Sequence, residues 1–135
     1  MIKSTAYKVY WTGRYLERIE NIARFGVYLA NNGISIQEMN NILGVKDAFL
    51  YISNEFQLLR EDIRGFGDEA VMNALSSLET TIYAKRDNLS KYFADILNTI
   101  IYLENMVEEN LKPQFVSIMP KKQEEIGSQE KIKKS

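Results

Sequence analysis

The sequence contains no cysteine and no histidine, and only two of its 135 residues are proline. Without cysteine there can be no disulfide and no thiolate nucleophile, and without histidine there is no imidazole base. Zinc sites built from these two residue types are excluded as well. Any chemistry would have to use carboxylates, lysine, arginine, tyrosine, serine or threonine. We therefore predict that this chain holds no metal and no cofactor.

Long apolar runs and a strong net charge are also missing. No apolar run approaches the roughly 18 residues that cross a bilayer, and the first residues contain no apolar signal-peptide core. Seventeen basic and eighteen acidic residues give a net charge of −1. Such a balance produces no overall attraction to nucleic acid or to an anionic membrane. We predict a cytoplasmic protein, with neither a membrane nor nucleic acid as its expected partner.

The composition that remains is that of one helical domain. Apolar residues make up 45% of the chain and charged residues 26%, which is typical of a globular protein. Apolar residues recur at steps of three and four along most of the chain, and no segment alternates as a strand would. The pattern predicts an all-α fold without a sheet, an up-and-down bundle of four main helices whose second rod is split near Gly44. The predicted helices cover residues 4–31, 35–44, 45–63 and 68–86, with a last helix ending near Leu111. Ser35, which has capping-box spacing to Glu38, and Asp68 are predicted to cap the starts of their helices.

Three segments are predicted along the chain. Residues 1–112 form the helical bundle, and Pro113 ends its last helix. Residues 113–120 are apolar and are expected to fold back on the bundle as a strap, with a partner-binding segment as the alternative. Residues 121–135 are rich in lysine and glutamate and are predicted to be a disordered charged tail.

The most unusual stretch of the sequence is YWTGRYLERIENIAR at residues 10–24. On a helical wheel the apolar residues of this helix form one stripe that is predicted to face the core, namely Trp11, Tyr15, Ile19, Ile22, Gly26 and Leu29. Beside it lies a second stripe of charged, polar and aromatic residues, which we call the polar stripe and predict to be the candidate functional surface. It consists of Tyr10, Arg14, Glu17, Glu20, Asn21, Arg24 and Tyr28.

The polar stripe has three interpretations. Glu20 with Arg24, and Arg14 with Glu17, have the spacing of ordinary ion pairs on an exposed helix, which contribute only about 0.2–0.5 kcal/mol each. A half-buried ladder of such charges would instead require a partner helix or a ligand with carboxylate, phosphate or guanidinium groups. A metal site is disfavoured, because metal sites in helical bundles usually add histidine to their glutamates.

Two stretches are similar to a known family. The first stretch resembles the opening signature of the alpha-E domain family, which reads approximately YW-x-GRY-x-ER-x-E-x-x-AR. The matching residues are Tyr10, Trp11, Gly13, Arg14, Tyr15, Glu17, Arg18, Glu20, Ala23 and Arg24. A later stretch, KRDNLSKYFADILN, resembles a second family motif of the type VRD-x-IS followed by LN. It matches at Arg86, Asp87, Leu89, Ser90, Leu97 and Asn98.

The resemblance implies a helical protein associated with ATP-grasp amide ligases and transglutaminase-like proteins. Members are commonly about twice as long, so this chain resembles a half-length version whose missing helices a second copy could supply. The resemblance assigns no catalytic residue.

Two hypotheses about function follow. The favoured one is a non-enzymatic interaction or structural module, a homodimer in which the polar stripe pairs with another helix within or between subunits. A protein partner from a peptide-ligase or transglutaminase-like system is a further expectation. The alternative is a ligand-binding or catalytic accessory component of ATP-grasp-type peptide or amide ligation. In that case Arg14 and Arg24 would hold an anionic group, and Glu17 or Glu20 would act as base.

Overall fold

The computed structural model describes residues 3–118, with side chains for residues 4–112. This part of the chain forms five helices and contains no strand, which confirms the all-α prediction. The helices are α1 (Lys3–Asn31), α2 (Ile36–Leu43), α3 (Ala48–Ile63), α4 (Glu69–Ile82) and α5 (Leu89–Ile118). None of them is both long enough and apolar enough to cross a membrane. The cytoplasmic location stays a prediction.

The four long helices run up and down, and α1 packs against both α3 and α5. The antiparallel course of α1 and α5 is visible at two points: Glu20 lies beside Glu104, and the Ser90 hydroxyl donates to the amide oxygen of Asn31. The second rod is split as predicted. Gly44 ends α2 in the left-handed conformation, with φ of 72°, which glycine adopts without strain.

Side-chain caps define the starts of three helices. Ser35 Oγ accepts the Glu38 amide of α2 at 3.2 Å, as its capping-box spacing predicts. Asp68 caps α4 by accepting the Val71 amide at 2.9 Å. The predicted start of α3 at Val45 was wrong. Asp47 caps this helix, which therefore begins at Ala48. The prediction that the next helix continues to Arg86 was also wrong, because α4 ends at Ile82.

The predicted end of the last helix was wrong as well. Pro113 lies inside α5, which continues to Ile118. A proline removes one backbone hydrogen bond and crowds the preceding turn, and this bends some helices without ending them. The predicted strap depends on side chains outside the described residues, and the charged tail at 121–135 lies wholly outside them. Both stay predictions.

The core is built from the apolar stripes of all five helices. Buried side chains on α3, α4 and α5 occupy most of the predicted positions, including Phe56, Leu78 and Ile100. On α1 the predicted core face is confirmed at Ile19, Ile22, Gly26 and Leu29 and extends further around the helix, because α3 and α5 cover this helix on two sides. The buried residues that the predicted stripe omitted are Thr12, Leu16 and Ala23. Trp11 and Tyr15 are only half-buried, and Tyr7 is exposed.

Candidate functional site

The polar stripe lies on the outer face of α1. The structure brings its residues onto one side of the helix, where all but one are exposed. The exposed members are Tyr10, Arg14, Glu17, Asn21, Arg24 and Tyr28. Glu20 is half-buried and is the member that reaches another helix, α5. Within the described residues, the rest of the stripe is therefore available for contact with another molecule.

Both predicted ion pairs are present within the stripe. Arg24 donates to the Glu20 carboxylate at 2.6 Å, whereas Arg14 lies 3.9 Å from Glu17. The second pair is long, and both of its side chains are about half exposed or more. Exposed pairs of this kind stabilise a protein by less than about 1 kcal/mol. Stability of the single chain therefore does not explain why these charges are arranged in a row.

Two exposed aromatic side chains extend the stripe toward the end of α1. Phe25 is 57% exposed and Tyr28 is 65% exposed. With Asn21 and Arg24 they line a shallow, largely apolar hollow of about 300 Å³. The sequence interpretation placed Tyr28 on this surface but missed Phe25, whose position between the two stripes gives no clear periodic signal.

A carboxyl group from α5 completes a cluster that the sequence interpretation missed. Glu104 lies beside Glu20, and Arg24 is close to both. Burial raises the pKa of Glu104 to about 8, and the neighbouring Glu20 carboxylate contributes in the same direction. The pKa of Glu20 is lowered, chiefly by its hydrogen bond to Arg24. At neutral pH one proton is therefore held on Glu104 and donated toward Glu20, within reach of solvent.

This cluster has the features of an acid and base pair. Two carboxyl groups whose environments separate their pKa values can divide the roles of proton donor and proton acceptor. The sequence offers only one signal for Glu104, an acidic residue that directly follows the buried Leu103 in the apolar stripe of α5. That signal does not reveal which residue faces it across the bundle.

Arg18 follows Glu17 in the sequence but points to the other flank of α1. Its guanidinium lies 3.5 Å from both carboxylate oxygens of Glu55 on α3, and that carboxylate is only 12% exposed. The same guanidinium lies 5.9 Å from the ring centre of Trp11 and 5.7 Å from that of Tyr15. Arg18 thus joins α1 to α3, whereas Glu17 faces solvent.

The later stretch that carried the resemblance closes one end of the bundle. Arg86 lies 4.2 Å above the ring of Phe49 and also contacts the ring of Tyr92. The Tyr92 hydroxyl donates to the Ile82 carbonyl at 2.8 Å. These contacts hold the turn between α4 and α5 against the start of α3. They lie at the end of the bundle where α1 ends, away from Glu20.

No group of three acidic side chains with metal-binding geometry is found among the residues whose side chains are described. The Arg24 guanidinium lies beside the Glu20 and Glu104 pair, and its positive charge would repel a bound cation.

A comparison with protein-family models finds a match over most of the chain. The Alpha-E family model, which describes a predicted alpha-helical domain with a conserved ER motif, matches residues 1–122. Glu17 followed by Arg18 is the single Glu-Arg dipeptide in the sequence, so these two residues supply the motif. No match was found among curated proteins or among solved structures.

Proposed function

The chain belongs to the Alpha-E family, whose model covers most of its length, and we propose that it is a non-enzymatic helical interaction module. It works as a homodimer, and the polar stripe of α1 together with Phe25 is the surface through which it associates.

One observation carries this proposal: an ordered row of charged and aromatic side chains lies exposed along α1. Tyr10, Phe25 and Tyr28 are each 57–65% exposed. Tyrosine, phenylalanine and arginine are the residue types that interfaces favour over other surfaces. The ion pairs of the stripe contribute little to the single chain. In an interface the same residues would contribute more to binding. Exclusion of water would strengthen their charge contacts, and the partner surface would bury their rings.

Sedimentation equilibrium tests the proposal directly. At tens of micromolar the wild-type protein should sediment as a dimer, and Phe25→Ser with Tyr28→Ser should convert it to a monomer with an unchanged helical circular dichroism spectrum. Tyr102→Ser is the matched control, because Tyr102 is 54% exposed but lies on α5. It should leave the dimer intact. A wild-type monomer at this concentration would contradict the proposal.

A second candidate function is supported by the Glu20, Glu104 and Arg24 cluster. Here the chain is an accessory component of peptide or amide ligation by an ATP-grasp-type ligase. Arg24 binds the carboxylate of the substrate, which the ligase activates as an acyl phosphate. The ionised Glu20 carboxylate accepts the proton that the attacking amine loses as the amide bond forms, and the Glu104 carboxyl group, whose pKa is about 8, donates its proton to the departing phosphate. The 300 Å³ hollow next to Arg24 would hold the apolar part of such a substrate.

The two candidates predict different results for one variant. Glu104→Gln keeps the shape of the side chain but removes the titrating proton. If the chain is an interaction module, the variant dimerises as the wild type does. If the cluster works in ligation, the variant dimerises normally but no longer supports amide formation when it is reconstituted with an ATP-grasp ligase partner. Glu108→Gln, on the exposed surface one turn further along α5, is the control.

A further inference from the structure

We infer that the partner of α1 is α1 of a second copy, packed antiparallel with the two-fold axis between Glu20 and Asn21. In this arrangement Glu17 of each copy pairs with Arg24 of the other copy, and Tyr28 of each copy covers Gly13 of the other. The inference rests on the proposed homodimer and adds its geometry.

A continuous exposed row along α1 is the first support. Its residues follow one another at steps of three and four, which keeps them on one face of a helix. All of them are exposed in the single chain: Ala6, Tyr10, Gly13, Glu17, Asn21, Arg24, Tyr28 and Asn31. The row is roughly 37 Å long at the usual rise of an α-helix. That length is sufficient for a second helix to pack along it.

The charges of the row select both the direction and the register. A parallel two-fold pair would place each residue next to its own copy, so that Glu17 would face Glu17 and Arg24 would face Arg24. An antiparallel pair can instead bring Glu17 opposite Arg24 twice, by symmetry. Arg24 can keep its 2.6 Å contact with Glu20 at the same time, because a guanidinium carries five N–H donors.

Gly13 gives independent support for the same register. A glycine inside a helix costs about 1 kcal/mol relative to alanine, and a Cβ added at Gly13 would meet nothing within 4 Å. Contacts within the described residues therefore give no reason for a glycine here. The register that pairs Glu17 with Arg24 also places Tyr28 of the other copy over Gly13, where the missing side chain leaves room for the ring.

The same chain already uses this kind of contact in its interior. Gly26 of α1 lies under the ring of Phe93 from the antiparallel helix α5, and a Cβ at Gly26 would collide with that ring. A glycine that receives an aromatic ring from an antiparallel helix is thus a packing device of this molecule. The inferred dimer repeats it on the outer face of α1.

A cysteine cross-link tests the register, since the natural chain has no cysteine. The axis brings the two copies of Asn21 side by side, so Asn21→Cys should form a disulfide-linked dimer in high yield under mild oxidation. Asn105→Cys, exposed on α5, should remain mostly monomeric on a non-reducing gel. If the wild type sediments as a dimer but Asn21→Cys is not linked, the register is wrong and the proposed homodimer still stands.

Charge exchange tests the pairing itself. Glu17→Lys and Arg24→Glu each place like charges together twice in a homodimer, so each should weaken dimerisation by at least tenfold. Mixing the two variants restores one exchanged and one native pair, so a heterodimer should form at wild-type affinity. Heterodimers no stronger than either homodimer would overturn the inference. Deleting residues 119–135 should leave wild-type affinity unchanged, and a large gain would show that this segment, rather than a second copy, occupies the face.

Discussion

The two sides of α1 use the same residue types under different conditions. On the covered side, Gly26 lies beneath Phe93, and the Arg18 guanidinium is held against a carboxylate that is almost buried. On the exposed side, Gly13 has open space above it, and Arg24 pairs with Glu20 at the surface. Each glycine and each arginine on the covered side has a partner in another helix. The exposed side has the same residue types, but its arginine bonds within α1, and among the described residues nothing lies over its glycine.

This difference separates folding from function within one helix. The covered residues are explained by contacts with α3 and α5, which bury apolar area and pair the Arg18 guanidinium with Glu55. The exposed residues contribute little to the stability of the single chain. Gly13 makes the helix less stable than alanine would, and Tyr28 leaves its ring in water. A surface that is ordered but not required for the fold is where an intermolecular contact is expected.

The largest expected effect distinguishes the two glycines. Gly26→Ala inserts a methyl group into the Phe93 ring and should lower the free energy of unfolding by about 1–3 kcal/mol. Gly13→Ala adds the same methyl group in open space and should raise it by up to about 1 kcal/mol, because alanine favours the helix. Urea unfolding at submicromolar concentration, where association is minimal, gives both values. Similar effects at the two positions would remove the distinction between the sides.

A second prediction concerns how the free energy of unfolding depends on pH through Glu104, which lies beside Glu20 at the boundary between the two sides of α1. Below about pH 4.5, Glu104 is protonated in both the folded and the unfolded chain. As pH rises, the unfolded chain ionises first, because burial and Glu20 raise the folded pKa to about 8. The free energy of unfolding should therefore fall from about pH 4.5 until pH 8 and then level off.

Glu104→Gln should remove this contribution, since glutamine can donate to Glu20 at every pH. The variant should have the higher urea midpoint at pH 9, and the difference should shrink toward pH 5. Glu108→Gln, at an exposed position on α5, should follow the wild-type curve. Parallel curves for Glu104→Gln and the wild type would show that the Glu104 carboxyl group does not share a proton with Glu20 in the folded chain.

The sequence predicted local features better than contacts between distant residues. Helix spacing and caps such as Ser35 and Asp68 depend on neighbours a few positions away, and these predictions were confirmed. The prediction at Pro113 was wrong, because whether a proline bends or ends a helix depends on more than its own identity.

Of the candidate surface, the sequence predicted only the part that depends on local spacing along α1. Helical spacing alone places the polar stripe on one face, and the structure brings its residues together there. Periodicity could not reveal that Glu20 faces Glu104, 84 positions further along the chain, or that Arg18 faces Glu55. Those pairings depend on how the helices cross. Whether the stripe is a functional site stays a prediction.

The smallest expected effect distinguishes the two arginines that flank Glu17. Arg18→Gln removes the link between α1 and α3 and leaves Glu55, whose carboxylate is 12% exposed, without its cation. We expect a loss of about 1 kcal/mol, because the Arg18 side chain is still 37% exposed and water weakens the pair.

Arg14→Gln is the matched control for Arg18→Gln. Its 3.9 Å contact with Glu17 is exposed on both sides, so the change should alter the free energy of unfolding by less than about 0.5 kcal/mol. Urea unfolding of both variants at submicromolar concentration gives the comparison. A larger loss for Arg14→Gln would mean that the exposed side of α1 also supports the fold of the single chain. The argument that its charges serve an intermolecular contact would then fail.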